Sequence, residues 1–240
     1  DPAYIKQPGV NQGKVSKQLN YGGASYMAEA VMVKRDCELA VKTGAKVDIQ
    51  HISSGVAVDY VKEAKEKGAN VYAEASPHHF TLTEEAVLKY GTLARMNPPL
   101  RTEEDRQRII KGLQEGTIEI IATDHAPHSK EEKDKPLDQA PSGITGIETS
   151  LALGVTELVE KGYLSMMQLL EKMTINPAKL YNMEQGRLQE GKPADVVLFD
   201  PEEEWEVKEY KSKATNSPFT GWKLKGKVKY TICDGKIIEL

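Results

Sequence analysis

Cysteine is scarce in this chain: Cys37 and Cys233 are the only two in 240 residues, and neither lies in a Cys-x-x-Cys pair. So far apart, they build no disulfide framework, and a reducing, cytoplasmic setting is the expectation. Long apolar runs are missing as well. No stretch approaches the roughly 20 residues that span a bilayer, and no charged-then-apolar signal pattern opens the chain. Positive charge is not in excess either: 32 Lys and Arg against 36 Asp and Glu leave a formal net charge of −4. That balance argues against general attraction to nucleic acid or to an anionic membrane. Histidine is confined to positions 51, 78, 79, 125 and 128. What is present suits a globular chain, with 39% apolar and 28% charged residues and length for one large α/β domain or one domain plus a small one.

Helical and strand-like segments alternate. Residues 24–43 have helix-forming composition and stop at Gly44. Lys46-Val-Asp-Ile-Gln-His-Ile-Ser53 predicts a strand with Val47, Ile49 and His51 on one face. Ser54 then caps a helix whose Val56, Tyr60, Val61 and Ala64 form an apolar stripe, ended by Gly68. Residues 70–75 read as a second strand, Thr102 caps a helix to Glu115, and residues 117–123 read as a third, strongly apolar strand. A helix is expected over 144–160, with Leu151, Val155, Leu158 and Val159 on one side.

Such alternation implies βα units around a parallel sheet. Each strand opens into a polar loop: His51-Ile-Ser-Ser, Ser76-Pro-His-His, Met96-Asn-Pro-Pro, Asp124-His-Ala-Pro-His. Functional side chains at the C-terminal ends of successive strands are what a (β/α)8 barrel provides. Three repeats are too few to close one. The expected fold class is therefore α/β: residues 1–185 form the C-terminal part of a TIM barrel whose earlier strands precede Asp1. The polar stretch from Pro2 to Gly23 then reads as a loop entered in mid-course. From Gly186 the pattern changes to turn and strand, with a hairpin at Asp234-Gly235. Residues 186–240, about 55 in number and too few for a good core of their own, are expected to supply the C-terminal strands of a small β-sandwich domain.

Ile121-Ala-Thr-Asp-His-Ala-Pro-His128 carries the strongest chemical signal. A carboxylate at the mouth of an apolar strand is poorly solvated unless a cation faces it. A divalent metal would do so, and histidines are natural co-ligands. The plainer alternative is an Asp that caps a loop or helix, but two nearby histidines and a Pro-held turn weigh against it. His51 ends another strand of the same sheet. His78 and His79, expected on an extended segment, would point to opposite faces and read as structural residues. The charged run from Ser129 to Pro141 has no apolar period. It joins two motifs of the candidate site, and a loop of that length is expected to be mobile and to close over bound substrate.

Met96-Asn-Pro-Pro-Leu-Arg101, Ala122-Thr-Asp-His-Ala-Pro-His128 and Ala140-Pro-Ser-Gly-Ile-Thr-Gly-Ile-Glu-Thr149 closely resemble three successive motifs of bacterial dihydroorotases, in that family's order and spacing. Gly186-Arg-Leu-Gln-Glu-Gly-Lys-Pro-Ala-Asp195 is similar to the end of most amidohydrolase barrels. The resemblance covers essentially the whole chain. It implies that His51 is a zinc ligand and that Asp124 is both a metal ligand and the catalytic acid–base. It also implies that Asn97 and His128 bind substrate, and that the backbone at Ser142-Gly143 contacts the ring. Many relatives carry an aromatic residue where Ser142 stands. The implied cofactor is one or two zinc ions, whose bound water has a pKa lowered to roughly 7. The implied reaction is the interconversion of dihydroorotate and N-carbamoyl-L-aspartate in pyrimidine synthesis.

The same resemblance calls for a His-x-His pair, a bridging carboxylate and a further histidine, and no His-x-His occurs among the five histidines. Two ligands cannot make a catalytic zinc site, which uses at least three from protein. The chain is thus expected to be part of a longer enzyme and inactive alone. A hydantoinase or allantoinase would share fold and metal with a different ring. A non-catalytic subunit attached to aspartate transcarbamoylase would have lost ligands, whereas His51, Asn97, Asp124 and His128 are all present. A homodimer and a transcarbamoylase partner both stay open.

Overall fold

In a computed structural model, which describes residues 1–239, the chain separates into two compact units. The first comprises Asp1–Glu148 together with Tyr210–Pro218; the second comprises Thr149–Glu209 and the residues from Phe219 on. This division does not follow the 185/186 boundary suggested by the sequence pattern. The contacts that define it group the helices after Glu148 with the C-terminal strands.

The first unit begins with a 3-10 turn at Pro2–Tyr4 and helix α1, Lys14–Gln18. The stretch expected as a featureless loop is thus partly helical, and it buries Val10, Asn11 and Val15. Helix α2, Met27–Thr43, turns Ala30, Val33, Cys37 and Ala40 inward at spacings of three and four, and Gly44 at φ 72° ends it. Strand β1 (Val47–Ile49) leads to α3 (Gly55–Glu66) and β2 (Val71–Ala75). Three short helical pieces follow, α4 (Pro77–Thr81), α5 (Ala86–Tyr90) and a 3-10 turn at Gly91–Ala94. Helix α6, Glu103–Glu115, has the most complete caps. Thr102 accepts from Asp105 N–H while Asp105 accepts from Thr102 N–H, three acids occupy the first turn, and Gly116 at φ 79° closes the end. Strand β3 is only Ile120–Ile121, and α7 is Lys130–Lys133.

The three strands pair in parallel in the order β1-β2-β3, with Ile49 beside Ala73 and Ala75 beside Ile121. Parallel pairing requires the crossovers, which α3 and α6 supply, and these two helices pack on each other and on α2 and α4. Two predicted strands are shorter than their sequence pattern. Residues 46–53 keep only Val47–Ile49 in the ladder because His51, at φ 38°, turns the backbone out of the extended region. His51 therefore does not share a strand face with Val47 and Ile49.

In the second unit, α8 (Ser150–Gly154) runs into a π-helical turn at Val155–Val159. The expected 144–160 helix starts six residues late because Ile144 is held in a parallel bridge to His125. Helices α9 (Met166–Met173) and α10 (Ile175–Tyr181) precede the antiparallel sheet of β4 (Val196–Glu206), β5 (Lys223–Cys233) and β6 (Lys236–Glu239). The β5–β6 hairpin turns at Asp234 (φ 50°) and Gly235 (φ 72°), the two left-handed residues a tight turn needs. Gly226 lets β5 lie against Val155: a Cβ there would sit 2.9 Å from Val155 Cγ2.

Candidate active site

Asp124 and His51 both sit just beyond parallel strands, and both adopt positive φ, 48° and 38°. Non-glycine residues held there store local strain, which collects at functional sites. The left-handed turn swings each side chain off its strand axis at the end of the sheet. Burial pushes the Asp124 carboxyl above its usual pKa, and the neighbouring imidazole of His51 opposes that shift. His51 Nδ1 is buried with no hydrogen-bond partner. A half-buried carboxylate within electrostatic reach of an unpartnered imidazole nitrogen is a donor set suited to a divalent cation. Two donors are nevertheless short of a complete site. Among the described residues no group of three or more His, Cys, Asp or Glu is arranged to hold a metal ion.

His78 lies beside Asp124. It is fully enclosed, its Nε2 lies 3.9 Å from Asp124 Oδ2 with no hydrogen-bond partner, and burial followed by the proximity of His51 pushes its pKa down to about 3. The two adjacent histidines do not lie on an extended segment. They open helix α4 behind Pro77, with ring centroids 4.4 Å apart. His79 turns elsewhere: its Nε2 is 3.1 Å from the Pro98 carbonyl, which ties α4 to the loop carrying Asn97. Asn97 itself is exposed, next to a cis bond to Pro98. The signal for these histidines was the helix-starting Ser-Pro dipeptide, which places both in one turn. Glu74, on β2 near Asp48 and Asp124, is pushed up to about 7, chiefly by burial and then by those two carboxylates.

Behind His51 lies a buried polar network. Arg101, the last residue of the Asn-Pro-Pro-Leu-Arg motif, donates from Nε to Ser53 Oγ (3.1 Å) and from Nη1 to Asn11 Oδ1 (2.8 Å) and Ala24 O (2.9 Å). Glu29 accepts from the N–H groups of Ser53 (2.9 Å) and Ser54 (3.0 Å) and from the Ser53 hydroxyl, with Arg101 Nη2 at 3.8 Å. The loop after His51 is thereby fixed from α2 and from the loop before α6, which follows the 3-10 turn at Gly91–Ala94 and not the strand expected ahead of Met96-Asn-Pro-Pro.

His128, Ser142 and Gly143 form a second cluster. His128 Nε2 is 3.0 Å from the Ser142 carbonyl, so that nitrogen carries the proton; Nδ1 faces Glu132 at 3.8 Å. Gly143 at φ 109° passes so close to Ala126 that a Cβ would stand 2.5 Å from the alanine Cβ. Its N–H donates to Arg95 O (2.9 Å), and its carbonyl accepts from Lys133 Nζ (3.1 Å) and Asn216 Nδ2 (3.2 Å). The charged run 129–141 is not featureless, because Ser129 and Glu132 cap α7 and Lys133 is buried. Burial, with Arg95 adding to it, pushes the Lys133 ammonium down to about 8. An open cleft of about 860 Å³ lies beside His128, Lys133 and Asn216; neither Asp124 nor His51 lines it.

Residues 28–238 match the amidohydrolase family, and the chain belongs to it. It is 67% identical over 238 residues to the dihydroorotase of Clostridioides difficile (strain 630), covering 99% of this chain and 56% of that protein. Against the dihydroorotase of Lactococcus lactis subsp. lactis (strain IL1403), identity is 53% over 239 residues, covering 99% of this chain and 56% of that protein. The chain thus spans little more than half the length of these curated relatives. Among solved structures, dihydropyrimidinase from Brevibacillus agri NCHU1002 superposes with a TM-score of 0.83 at 28% identity, covering 90% of this chain and 49% of that one. L-hydantoinase (dihydropyrimidinase) from Arthrobacter aurescens gives 0.83 at 27%, covering 94% and 54%. The fold is therefore the α/β amidohydrolase fold. Among the described residues no helix is long and apolar enough to cross a membrane.

Proposed function

We propose that this chain is the C-terminal part of a zinc-dependent dihydroorotase, interconverting (S)-dihydroorotate and N-carbamoyl-L-aspartate in the synthesis of UMP. The observation that carries the reading is the pair at the strand ends: a half-buried Asp124 carboxylate held by left-handed backbone beside the unpartnered nitrogen of His51. Identity to curated dihydroorotases of 50–67% over 99% of the chain, against 24–28% to the solved hydantoinases, favours the dihydroorotase ring over the hydantoin ring.

His51 and Asp124 are the proposed zinc ligands in this chain, and the remaining donors of one or two ions come from outside it. Zinc bound there supplies an acidified water and polarises the ring amide carbonyl. Asp124, its basicity raised by burial, takes the proton of the attacking water. The oxygen bonds to the carbonyl carbon, the ring C–N bond breaks, and Asp124 delivers that proton to the departing nitrogen. Ring closure is the reverse. His128 and Asn97 orient the substrate's polar edge, and the loop at Ser142-Gly143 packs against the ring. Since the protein itself holds the N–H and carbonyl of Gly143 and the carbonyl of Ser142, polar contact from this loop falls to the N–H and hydroxyl of Ser142.

Residues 1–185 are proposed as the closing strands and helices of a TIM barrel. Residues 186–240 would be the last strands of a small β-sandwich. A cytoplasmic location and a homodimer or a transcarbamoylase complex complete the reading. The test is His51→Ala in the full-length protein, which should lower bound zinc and dihydroorotate turnover together. Unchanged zinc by elemental analysis would remove His51 from the metal site, and turnover of hydantoin but not dihydroorotate would replace the substrate.

A further inference from the structure

The loop at 141–143 is held with unusual completeness by two residues that no sequence motif had marked. Asn216 belongs to the 210–218 segment, which returns to the first unit from far along the chain. Its side chain is buried, and each hydrogen-bonding atom has a job: Oδ1 accepts from His128 N–H (3.0 Å), while Nδ2 donates to Ala126 O (3.1 Å) and Gly143 O (3.2 Å). The segment is itself anchored, because Lys211 and Ser212 N–H donate to the Glu148 carboxylate (2.6 and 2.9 Å) and Asn216 O accepts from Thr145 N–H (3.1 Å). From the opposite side comes Lys133, 3% exposed, whose ammonium donates to Pro141 O (2.9 Å) and Gly143 O (3.1 Å). Its own carbonyl is fixed by the Thr92 hydroxyl at 2.5 Å. Burying an ammonium is costly unless its hydrogen bonds are made. Here they go to the two carbonyls that flank Ser142.

We propose that Lys133 and Asn216 are positioning residues for substrate: they grip the Gly143 carbonyl from two elements and so set Ser142 against the Asp124–His128 turn. This rests on the dihydroorotase reading for its substrate, though not for the grip itself. Asn216 bridges the Ala126–His128 turn and the Gly143 loop through one planar amide, and therefore transmits a shift in either to the other. Lys133 makes the charged run 129–141 a strut under the loop rather than a free cover.

The experiment compares Lys133→Met, Asn216→Ala and the double variant in the full-length, zinc-loaded protein. Three quantities are read: hydrogen exchange of peptides spanning 137–147, zinc content, and KM and kcat for dihydroorotate. A charge-assisted bond lost from a positioning group should raise KM roughly tenfold or more, with kcat within about threefold and zinc unchanged. Exchange should quicken in 137–147 and stay unchanged around β1 and β2. Because both residues hold one carbonyl, the double variant should be about as impaired as the worse single one. Unchanged exchange in 137–147 would overturn the grip. Faster exchange with an unchanged KM would overturn the positioning role, as would loss of zinc. Should Lys133→Met not fold, Asn216→Ala alone, which removes the other donor to the Gly143 carbonyl, is read by the same criteria. A wild-type protein that does not turn over dihydroorotate sinks the functional reading instead, and the exchange data then decide the grip alone.

Discussion

The buried charged groups at the candidate site of the first unit and the charged ladder on the sheet of the second serve opposite purposes. Around the candidate site of the first unit they are buried: Arg101 and Glu29 share Ser53 behind the His51 loop, and Lys133 holds two carbonyls beside Ser142. On the β4–β5 sheet of the second unit they face solvent. Lys223, Lys225, Lys227 and Lys229 alternate along β5 on one face and meet Glu202, Glu203 and Glu204 of β4. The first arrangement must have its partners, since an ionised group cannot be left alone in a low-dielectric interior. The second can lose any one pair to water at little cost. Buried charge thus specifies geometry, while the exposed ladder serves mainly solubility and strand register.

Three substitutions would break or sharpen this contrast. The largest effect is expected from Arg101→Met. It strands Glu29 next to the His51 loop and should destabilise the protein by about 3–5 kcal/mol, read from chemical denaturation. A loss below about 1 kcal/mol would mean that water or a shift of Glu29 replaces the guanidinium. A middle effect is expected from Gly143→Ala, where φ 109° and the approach of Ala126 leave no space for a methyl group. Strain and overpacking together should cost about 1–3 kcal/mol, with KM for substrate rising more than kcat falls. An unchanged crystal position for the loop and an unchanged KM would show that Ala126 yields freely. The smallest effect belongs to Glu203→Gln in the exposed ladder, which removes the partner of both Lys227 and Lys229. The melting temperature should move by less than roughly 2 °C, and the difference should fade at about 0.5 M salt. A shift as large as that of Gly143→Ala would show the ladder to be cooperative and erase the distinction between the two arrangements.

Local chemistry made much of this legible in advance. Gly44 and Gly116 end α2 and α6 where their lack of a Cβ allows the left-handed cap, and Thr102 starts α6 through a reciprocal bond with Asp105. The parallel order of three strands followed from their alternation with helices. The Asp234-Gly235 hairpin followed from the dipeptide itself. Asp124 stood out as a carboxylate at the mouth of an apolar strand, whereas a role for His51 was implied only by the resemblance to bacterial dihydroorotases. The local features are decided within a few residues of chain, where backbone sterics and nearest-neighbour hydrogen bonds dominate.

Tertiary packing decided the rest. Periodicity carried the first strand through to Ser53, yet His51 leaves the ladder because the Ser53–Ser54 backbone is drawn to Glu29, 24 residues earlier in the chain. His78 and His79 read as structural until α4 set one beside Asp124 and the other against Pro98. Lys133 lay in a charged run expected to be a mobile cover, and Asn216 carried no motif at all. Their roles depend on carbonyls 8 to 90 residues away that only the folded chain brings within 3.2 Å. By itself the sequence determined the caps and stops of α2 and α6, the parallel order of the three strands and the C-terminal hairpin, because those rest on short-range propensity and capping. Only the tertiary structure decided which buried polar groups hold the site in place, because a hydrogen bond between distant segments leaves no local trace in either one.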